Sequence, residues 1–301
     1  MKATVAIESR DLIGEAPAWD AEGQRLLWAD LERGVVHAAV ADESGGWRES
    51  TQWNLARPLA AVVPRARGGL VLAGGIEILA LDTRGSLATI ARLSADPALV
   101  RFNDAKCDRH GRLWCGTITS DFTARAGLYR IDSDRSVHTM LEGLTIANGM
   151  DWSPDARTFY FTDSLTRRVD AYDFDLTRGT LSRPRAFVTL ELGEGGPNGL
   201  TVDRDGCVWL ALTGSGQVRR YSPEGRELAR VDIATPGATS CAFGGPDGTY
   251  LFITSLGRRM PDVARILGLT EEMMTNDRPE SGCVFVCQPG ASGRAATPFA
   301  G

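Results

Sequence analysis

The sequence predicts an all-β fold, a six-bladed β-propeller. Three observations carry that reading: a short phrase that recurs six times, a near-constant spacing between its copies, and hairpin punctuation along most of the chain. The phrase is a turn with Asp or Pro and Gly, then an apolar strand that often carries Trp. Its copies are WDAEGQRLLWAD from Trp19, PRARGGLVLAGG from Pro64, CDRHGRLWCGTI from Cys107, WSPDARTFYFTD from Trp152, VDRDGCVWLALT from Val202 and FGGPDGTYLFIT from Phe243. Subtracting successive start positions gives spacings of 45, 43, 45, 50 and 41 residues. A period of roughly 40–50 residues built on strands and turns is that of a four-stranded propeller blade. Six such units imply a closed ring around a central channel. The repeat overrides the two-domain prior set by length and predicts one propeller domain over residues 1–301.

Within each unit the elements follow in order. A turn such as DAEGQ, DRHGR, SPDAR, DRDGC or GPDGT comes first, because Asp and Gly tolerate tight-turn backbone angles. An apolar strand follows, for example RLLWAD, RLWCGTI, TFYFTDS or CVWLALT. After a short polar break comes another strand: GVVHAAV, GLYRID, RRVDAYDFD or GQVRRYSP. Two strands across a short polar turn read as a hairpin. The recurring tryptophans (Trp19, Trp28, Trp114, Trp152, Trp209) are expected to pack between blades. One stretch breaks the pattern: residues 258–280 show helical periodicity in VARILGL and EEMM, and are read as a loop with a short helix inserted in the last blade. The ring is expected to close by pairing the two chain ends, with ATVAIES and GRAATPFAG as candidates.

Composition narrows the function classes. The chain carries 33 basic and 38 acidic residues, net charge −5, with no basic stripe, which argues against nucleic acid as a partner. The N-terminal MKATVAIESRDLIGEAP lacks the apolar core and cleavage site of a signal peptide. No apolar run approaches the roughly 20 residues needed to span a bilayer. The expectation is a soluble cytoplasmic protein without membrane contact, a monomer or weak homodimer. The six cysteines form no C-x-x-C pair and are read as reduced thiols. The three histidines, His37, His110 and His138, show no ligand spacing with any Cys, so a zinc site of that kind is not supported. There is no G-x-S-x-G, and no His beside a candidate serine with a supporting acid, which disfavours a Ser-His-Asp nucleophile.

In a propeller, residues just upstream of each repeat converge at one mouth of the channel. Four polar residues there hold a common register: Glu15 in GEAPAW, Asn103 in RFNDAKCD, Asn148 in IANGMDWSPD and Asn198 in GGPNGLTVDRDG each lie four residues before their own copy of the phrase. Four equivalent positions put four side-chain oxygens around one axis, which is an oxygen cage for a hard divalent cation. Taken singly, Asn-Gly is a common turn dipeptide; independent turns, however, need not keep step with the blade period. Arg101 and Asp104 lie beside Asn103. Asp104 is read either as orienting Arg101 or Lys106, or as a turn residue.

The set E-A-P-x-W, R-F-N-D-x-K-x-D-x-x-G, I-A-N-G-M-D-W-S-x-D and T-D-S resembles the senescence marker protein, gluconolactonase and regucalcin family. The segments ATSCAFGGPDGTYLFITS and SG-x-V-F-V extend the likeness over essentially the whole chain. The resemblance implies a six-bladed propeller of metal-dependent sugar lactonases and, more remotely, a likeness to diisopropyl fluorophosphatase. It implies one divalent cation, with Ca, Zn, Mn, Mg and Fe all open, held by Glu15, Asn148 and Asn198. It also implies substrate contacts from Arg101 and Asn103, and a sugar lactone or sugar acid as the small-molecule partner, opened by metal-activated water.

The chain departs from that family at one consequential position. Where the family usually reads P-D-G, this sequence reads Pro197-Asn198-Gly199. That Asp normally serves as both metal ligand and general base, so Asn198 occupies the catalytic position of the expected base. An amide still offers a carbonyl oxygen, but it accepts no proton at neutral pH. General-base help contributes about 10²–10⁴-fold. Three accounts of Asn198 stay open: an introduced change that traps substrate, a natural residue in an enzyme that uses no carboxylate base, or a member turned to another reaction or to binding. Two alternatives therefore stand beside lactone hydrolysis: a catalytically silent metal- or ligand-binding propeller, and a phosphoester or fluorophosphate hydrolase on the same scaffold.

Overall fold

Six four-stranded antiparallel sheets follow one another around a ring in the computed structural model, which describes residues 1–257, 261–270, 273 and 277–301. The innermost strands of blades 1 to 6 are Gly14–Asp20, Ala61–Pro64, Val100–Cys107, Ala147–Trp152, Gly196–Val202 and Ala238–Gly244. Each neighbours the next, and the sixth returns to the first, so the ring is closed and a channel runs between them. The fold is the all-β six-bladed propeller that the repeat predicts.

The recurring phrase spans the hairpin between the first and second strand of each blade. Its first residues belong to the innermost strand, so the segments upstream of the phrase are the innermost strands themselves rather than loops leading into them. The Asp of the turn has a second task. In blade 3, Asp108 Oδ1 accepts the N–H groups of His110 and Arg112, while Oδ2 accepts the Trp114 indole N–H at 2.9 Å. Blade 5 repeats this: Asp203 Oδ1 takes Asp205 N and Cys207 N, and Oδ2 takes Trp209 Nε1 at 2.9 Å. The carboxylate therefore closes the turn and satisfies the one polar atom of a fully buried ring, which would otherwise be costly to bury.

These rings pack across blade boundaries. Trp114 of blade 3 meets Trp152 and Phe159 of blade 4 at centroid separations of 5.9 and 5.4 Å. Trp209 of blade 5 meets Phe243 of blade 6 at 5.6 Å, and Trp19 of blade 1 stacks on Phe252 of blade 6. Each aromatic ring withdraws about 150–250 Å² from water, and that area holds neighbouring blades together. The six cysteines are free thiols, five of them buried.

Ring closure differs from the expectation in one of its two partners. The N-terminal strand Thr4–Ile7 is the outermost strand of blade 6, but it pairs with Val284–Cys287, with Thr4 opposite Val286. The tail GRAATPFAG is not a blade strand; its Gly and Pro and its short apolar run suit it poorly to one. It crosses the far mouth of the channel and bonds to every blade. Its contacts include Arg204 Nε to Gly293 O, Gly293 N to Gly248 O, Ala296 N to Trp19 O, Phe299 N to Pro64 O and Ala300 N to Gly111 O. Arg294 Nη2 donates to Trp152 O of blade 4 at 2.8 Å.

The helix expected in the last-blade insertion is present as Pro261–Ile266. Of the EEMM part only Met273 falls among the described residues. No helix among the described residues is long and apolar enough to cross a membrane.

Candidate functional site

Glu15, Asn103, Asn148 and Asn198 share a structural feature as well as a register. The pairing of the innermost strand with its neighbour slips at each of them: between Glu15 and Ala18, Phe102 and Asp104, Ala147 and Met150, and Pro197 and Leu200. A β-bulge adds one unpaired residue and re-aims a side chain. The four residues thus lie within strands, and the bulges turn them to the axis. The two Asn-Gly pairs are not hairpin turns. A Cβ on Gly149 would lie 2.5 Å from Leu200 N, and one on Gly199 would lie 2.0 Å from Ser240 Oγ. Glycine is required because adjacent innermost strands approach so closely there. In blade 1 the bulge puts Ala16 in the left-handed region at φ 49°, which is strain held beside Glu15.

Extending the register to the other two blades gives Ala60 and Thr239, which sequence reasoning passed over. Thr239 Oγ1 donates to Gly14 O at 2.6 Å, from blade 6 to blade 1. Asn103 Nδ2 donates to Ala147 O at 3.1 Å, from blade 3 to blade 4. In both cases the acceptor is the carbonyl just before the register residue of the next blade. Asn103 and Thr239 therefore tie blades together.

Glu15, Asn148 and Asn198 behave differently. Asn148 Nδ2 donates to Ser164 Oγ at 3.1 Å. Asn198 Nδ2 donates to Thr213 Oγ1 at 2.9 Å, and the Thr213 proton goes on to Ala238 O at 2.8 Å. That chain fixes the amide: Thr213 has no proton left for Asn198, so the nitrogen must face Thr213. Asn198 Oδ1 is left buried with no hydrogen-bond partner. An unpaired buried carbonyl is costly and points to a missing electrophile. Glu15 is buried too. Burial, and then the nearby Asp104 charge, push its carboxyl well above the ordinary value of 4.5, against the Ala16 N–H and Arg101. Removal from water and a neighbouring negative charge both disfavour a carboxylate, and an adjacent cation reverses the balance. One carboxylate and two amide oxygens make a hard donor set that fits a divalent cation. Because only one ligand is ionisable, the described residues contain no group of three or more His, Cys, Asp and Glu able to hold a metal.

Of the two residues that orient the amides, Ser164 follows the end of its second strand in TDS and Thr213 is the last residue of its own in LT. The first was within the T-D-S motif; the second carries no signal until the ring is closed. Arg101 lies in the same cavity, which encloses about 650 Å³ including its opening to solvent. Its Nη1 donates to Phe102 O at 3.0 Å. Burial lowers the Arg101 pKa, while Glu32 and Glu15 oppose that shift.

Asp104 does not join this group. It lies in the innermost strand rather than a turn, and it lines a second cavity of about 960 Å³, its opening to solvent included, lower in the channel and against the C-terminal tail. It makes no bond to Arg101; its Oδ1 accepts Ala105 N at 2.7 Å. Burial raises its pKa to about 6, against the attraction of Lys106. Lys106 itself donates to Asp151 and to Leu200 O.

No histidine lines either cavity. One contact was not foreseen: His138 Nε2 lies 3.0 Å from Ser136 Oγ and 3.3 Å from Asp132 Oδ2. Both contacts use the same ring nitrogen, so these three side chains form no relay of the Ser-His-Asp kind.

A family model described as SMP-30/Gluconolactonase/LRE-like region matches residues 13–257. The chain belongs to this family. Regucalcin of Danio rerio is 33% identical over 290 residues, covering 95% of this chain and 93% of the relative. Pentonolactonase XacC of Haloferax volcanii is 36% identical over 265 residues, covering 85% and 86%. The solved structure of a calcium-binding protein, regucalcin, from Agrobacterium tumefaciens superposes with a TM-score of 0.86 at 25% identity, covering 99% of this chain and 97% of that one. Membership of the SMP-30/gluconolactonase family thus accounts for the blade repeat.

Proposed function

We propose that this protein is a divalent-cation-dependent hydrolase that opens the ring of a small lactone, with sugar-derived lactones the first substrates to test. The observation that carries the reading is the convergence of Glu15, Asn148 and the unpartnered Asn198 Oδ1 beside Arg101 in one cavity. A pentonolactonase and a calcium-binding regucalcin among its relatives support it. A cation held by these oxygens would supply positive charge to polarise the lactone carbonyl and acidify water.

The chain's own residues supply the rest. Glu15 provides the only carboxylate charge in the cavity among the described residues, and Asn148 and Asn198 add carbonyl oxygens. Ser164 and Thr213 hold those amides in the required orientation. Arg101 would bind the substrate and steady negative charge growing on its carbonyl oxygen. Asn103 would orient the substrate; one of its amide N–H groups is engaged by Ala147 O. Asn198 stands where a general base is expected and takes no proton, so turnover is slow for a lactonase of this design. The same observation favours a second reading, a propeller that binds cation and ligand without turnover.

The test is pH-stat hydrolysis of glucono-1,5-lactone and simpler lactones with each of Ca²⁺, Mn²⁺, Zn²⁺, Mg²⁺ and Fe²⁺. Cation-dependent rates above the spontaneous reaction are expected. Cation and sugar-acid binding without turnover in either this chain or Asn198→Asp would favour the silent propeller. Unchanged cation content in both Glu15→Gln and Asn148→Ala would remove the cage.

A further inference from the structure

The floor and the walls of the upper cavity differ in chemistry. The polar atoms lie at the bulges, while the described walls above them are mainly hydrocarbon: Ile13, Leu31, Ile118, Ile146, Leu256 and Leu267. All six are buried. They come from four parts of the chain and are held in place by backbone contacts. Ile13 bridges to Leu256 between blades 1 and 6, and Ile118 bridges to Ile146 between blades 3 and 4. Leu31 N donates to Ile13 O at 2.9 Å. Leu267, beyond the inserted helix, packs with Ile13, Leu31 and Leu256, and its carbonyl accepts Arg167 Nη1 at 2.7 Å.

The polar inventory of the same cavity is short. Glu15, Asn148 and Asn198 face the cation position. Asn103 has given an N–H to Ala147 O, and the Thr213 proton is engaged by Ala238 O. Arg101 and Ser164 are the lining side chains among the described residues with most donor capacity left for a substrate. A fully hydroxylated lactone brings several hydroxyls at once, and most would face hydrocarbon. Each hydroxyl buried without a partner costs roughly tenfold in affinity. Each methylene moved from water onto such a wall contributes about fourfold.

We infer that the substrate of this site is a lactone bearing an apolar substituent, its ester group at the Glu15–Asn148–Asn198 floor and its alkyl part against the Leu31–Leu256–Leu267 wall. This rests on the lactonase reading above and narrows its substrate class. A polyhydroxylated sugar lactone is the poorer fit. Ring opening breaks the acyl C–O bond and adds water, giving a hydroxy acid with an alkyl tail and one released proton.

The test is a series of δ-lactones, from the unsubstituted ring to methyl, propyl and pentyl substituents on the carbon bearing the ring oxygen, compared with glucono-1,5-lactone in the cation-loaded protein. kcat/KM should rise about fourfold per methylene over the first carbons, and the pentyl lactone should exceed glucono-1,5-lactone at least tenfold. A flat series with glucono-1,5-lactone on top overturns the inference. Leu267→Asn should reduce the pentyl-to-unsubstituted ratio, and Ile118→Thr is the second variant should the first not fold; an unchanged ratio in a folded variant counts against it. Where no lactone is turned over, calorimetry with 5-hydroxydecanoate and gluconate reads the same preference. Tighter 5-hydroxydecanoate binding then sustains this inference while the lactonase reading fails, and tighter gluconate binding overturns it.

Discussion

Replacing Asn198 with Asp changes one atom and tests most of the proposed chemistry. The exchange puts a carboxylate oxygen where Nδ2 now donates to Thr213 Oγ1. Thr213 must then turn its proton from Ala238 O to the new carboxylate, so two hydrogen bonds become one, at a net cost of about 1 kcal/mol. The inward oxygen, already unpartnered as an amide carbonyl, becomes charged and basic. Without a cation, a second carboxylate beside buried Glu15 is unfavourable, because two like charges in one site raise each other's pKa. The metal-free variant should therefore melt below its parent at pH 7.5. With saturating cation the order should reverse, since a second carboxylate ligand tightens binding and bound ligand adds stability by mass action.

The restored base should raise kcat by about 10²–10⁴-fold, which is about 2.7–5.4 kcal/mol of barrier at 1.36 kcal/mol per tenfold. The assay is pH-stat lactone hydrolysis at saturating cation, corrected for the spontaneous rate, with cation content measured in both proteins. The variant should also gain a rate limb that rises with pH through the titration of its new carboxylate, a limb that the parent lacks. Equal rates in two proteins that both hold cation would refute the assignment of position 198 as the site of a base.

Three other outcomes follow from the same geometry. Glu15 has a folded-state pKa above its ordinary value of 4.5, so the folded protein binds more protons there and metal-free stability falls as pH rises through that window. Glu15→Gln should shrink the fall by Glu15's share, leaving metal-free protein more stable than the parent at neutral pH yet unresponsive to cation; a cation-induced shift in its Tm equal to the parent's would contradict this. Asp104, raised from 3.8 to about 6, acts in the same direction: Asp104→Asn should match the parent near pH 3.5 and exceed it by on the order of 3 kcal/mol above pH 6, read from denaturant midpoints at both pH values, with a pH-independent difference as the contrary result. Phe299 of the tail is fully buried against blades 2 and 3, so Phe299→Ala should cost about 3–5 kcal/mol in chemical denaturation, and a loss below 1 kcal/mol would show that the tail does not clasp the ring.

Much of this was legible before any coordinates. A turn Asp six residues before a Trp, as in Asp108–Trp114 and Asp203–Trp209, records a hydrogen bond as well as a hairpin, and such local chemistry repeats with the blade. The shared register of Glu15, Asn103, Asn148 and Asn198 was legible for the same reason. Their division of labour was not. Whether an amide ties blades together, as Asn103 does, or leaves its oxygen unpartnered, as Asn198 does, depends on which carbonyl of another blade lies within reach. The hydrocarbon wall was equally hidden, because Leu31, Ile118, Leu256 and Leu267 are ordinary core residues until four distant segments meet.

Blade number, family and the height at which polar side chains enter the channel can be read along the chain, since each depends on interactions within about one repeat. Ring closure, with Thr4–Ile7 on Val284–Cys287 and the tail beneath the channel, emerges from the folded chain alone. That Asp104, one residue from Asn103, serves a different cavity emerges there too. Those outcomes depend on contacts between residues remote in the chain, which a periodic pattern does not encode.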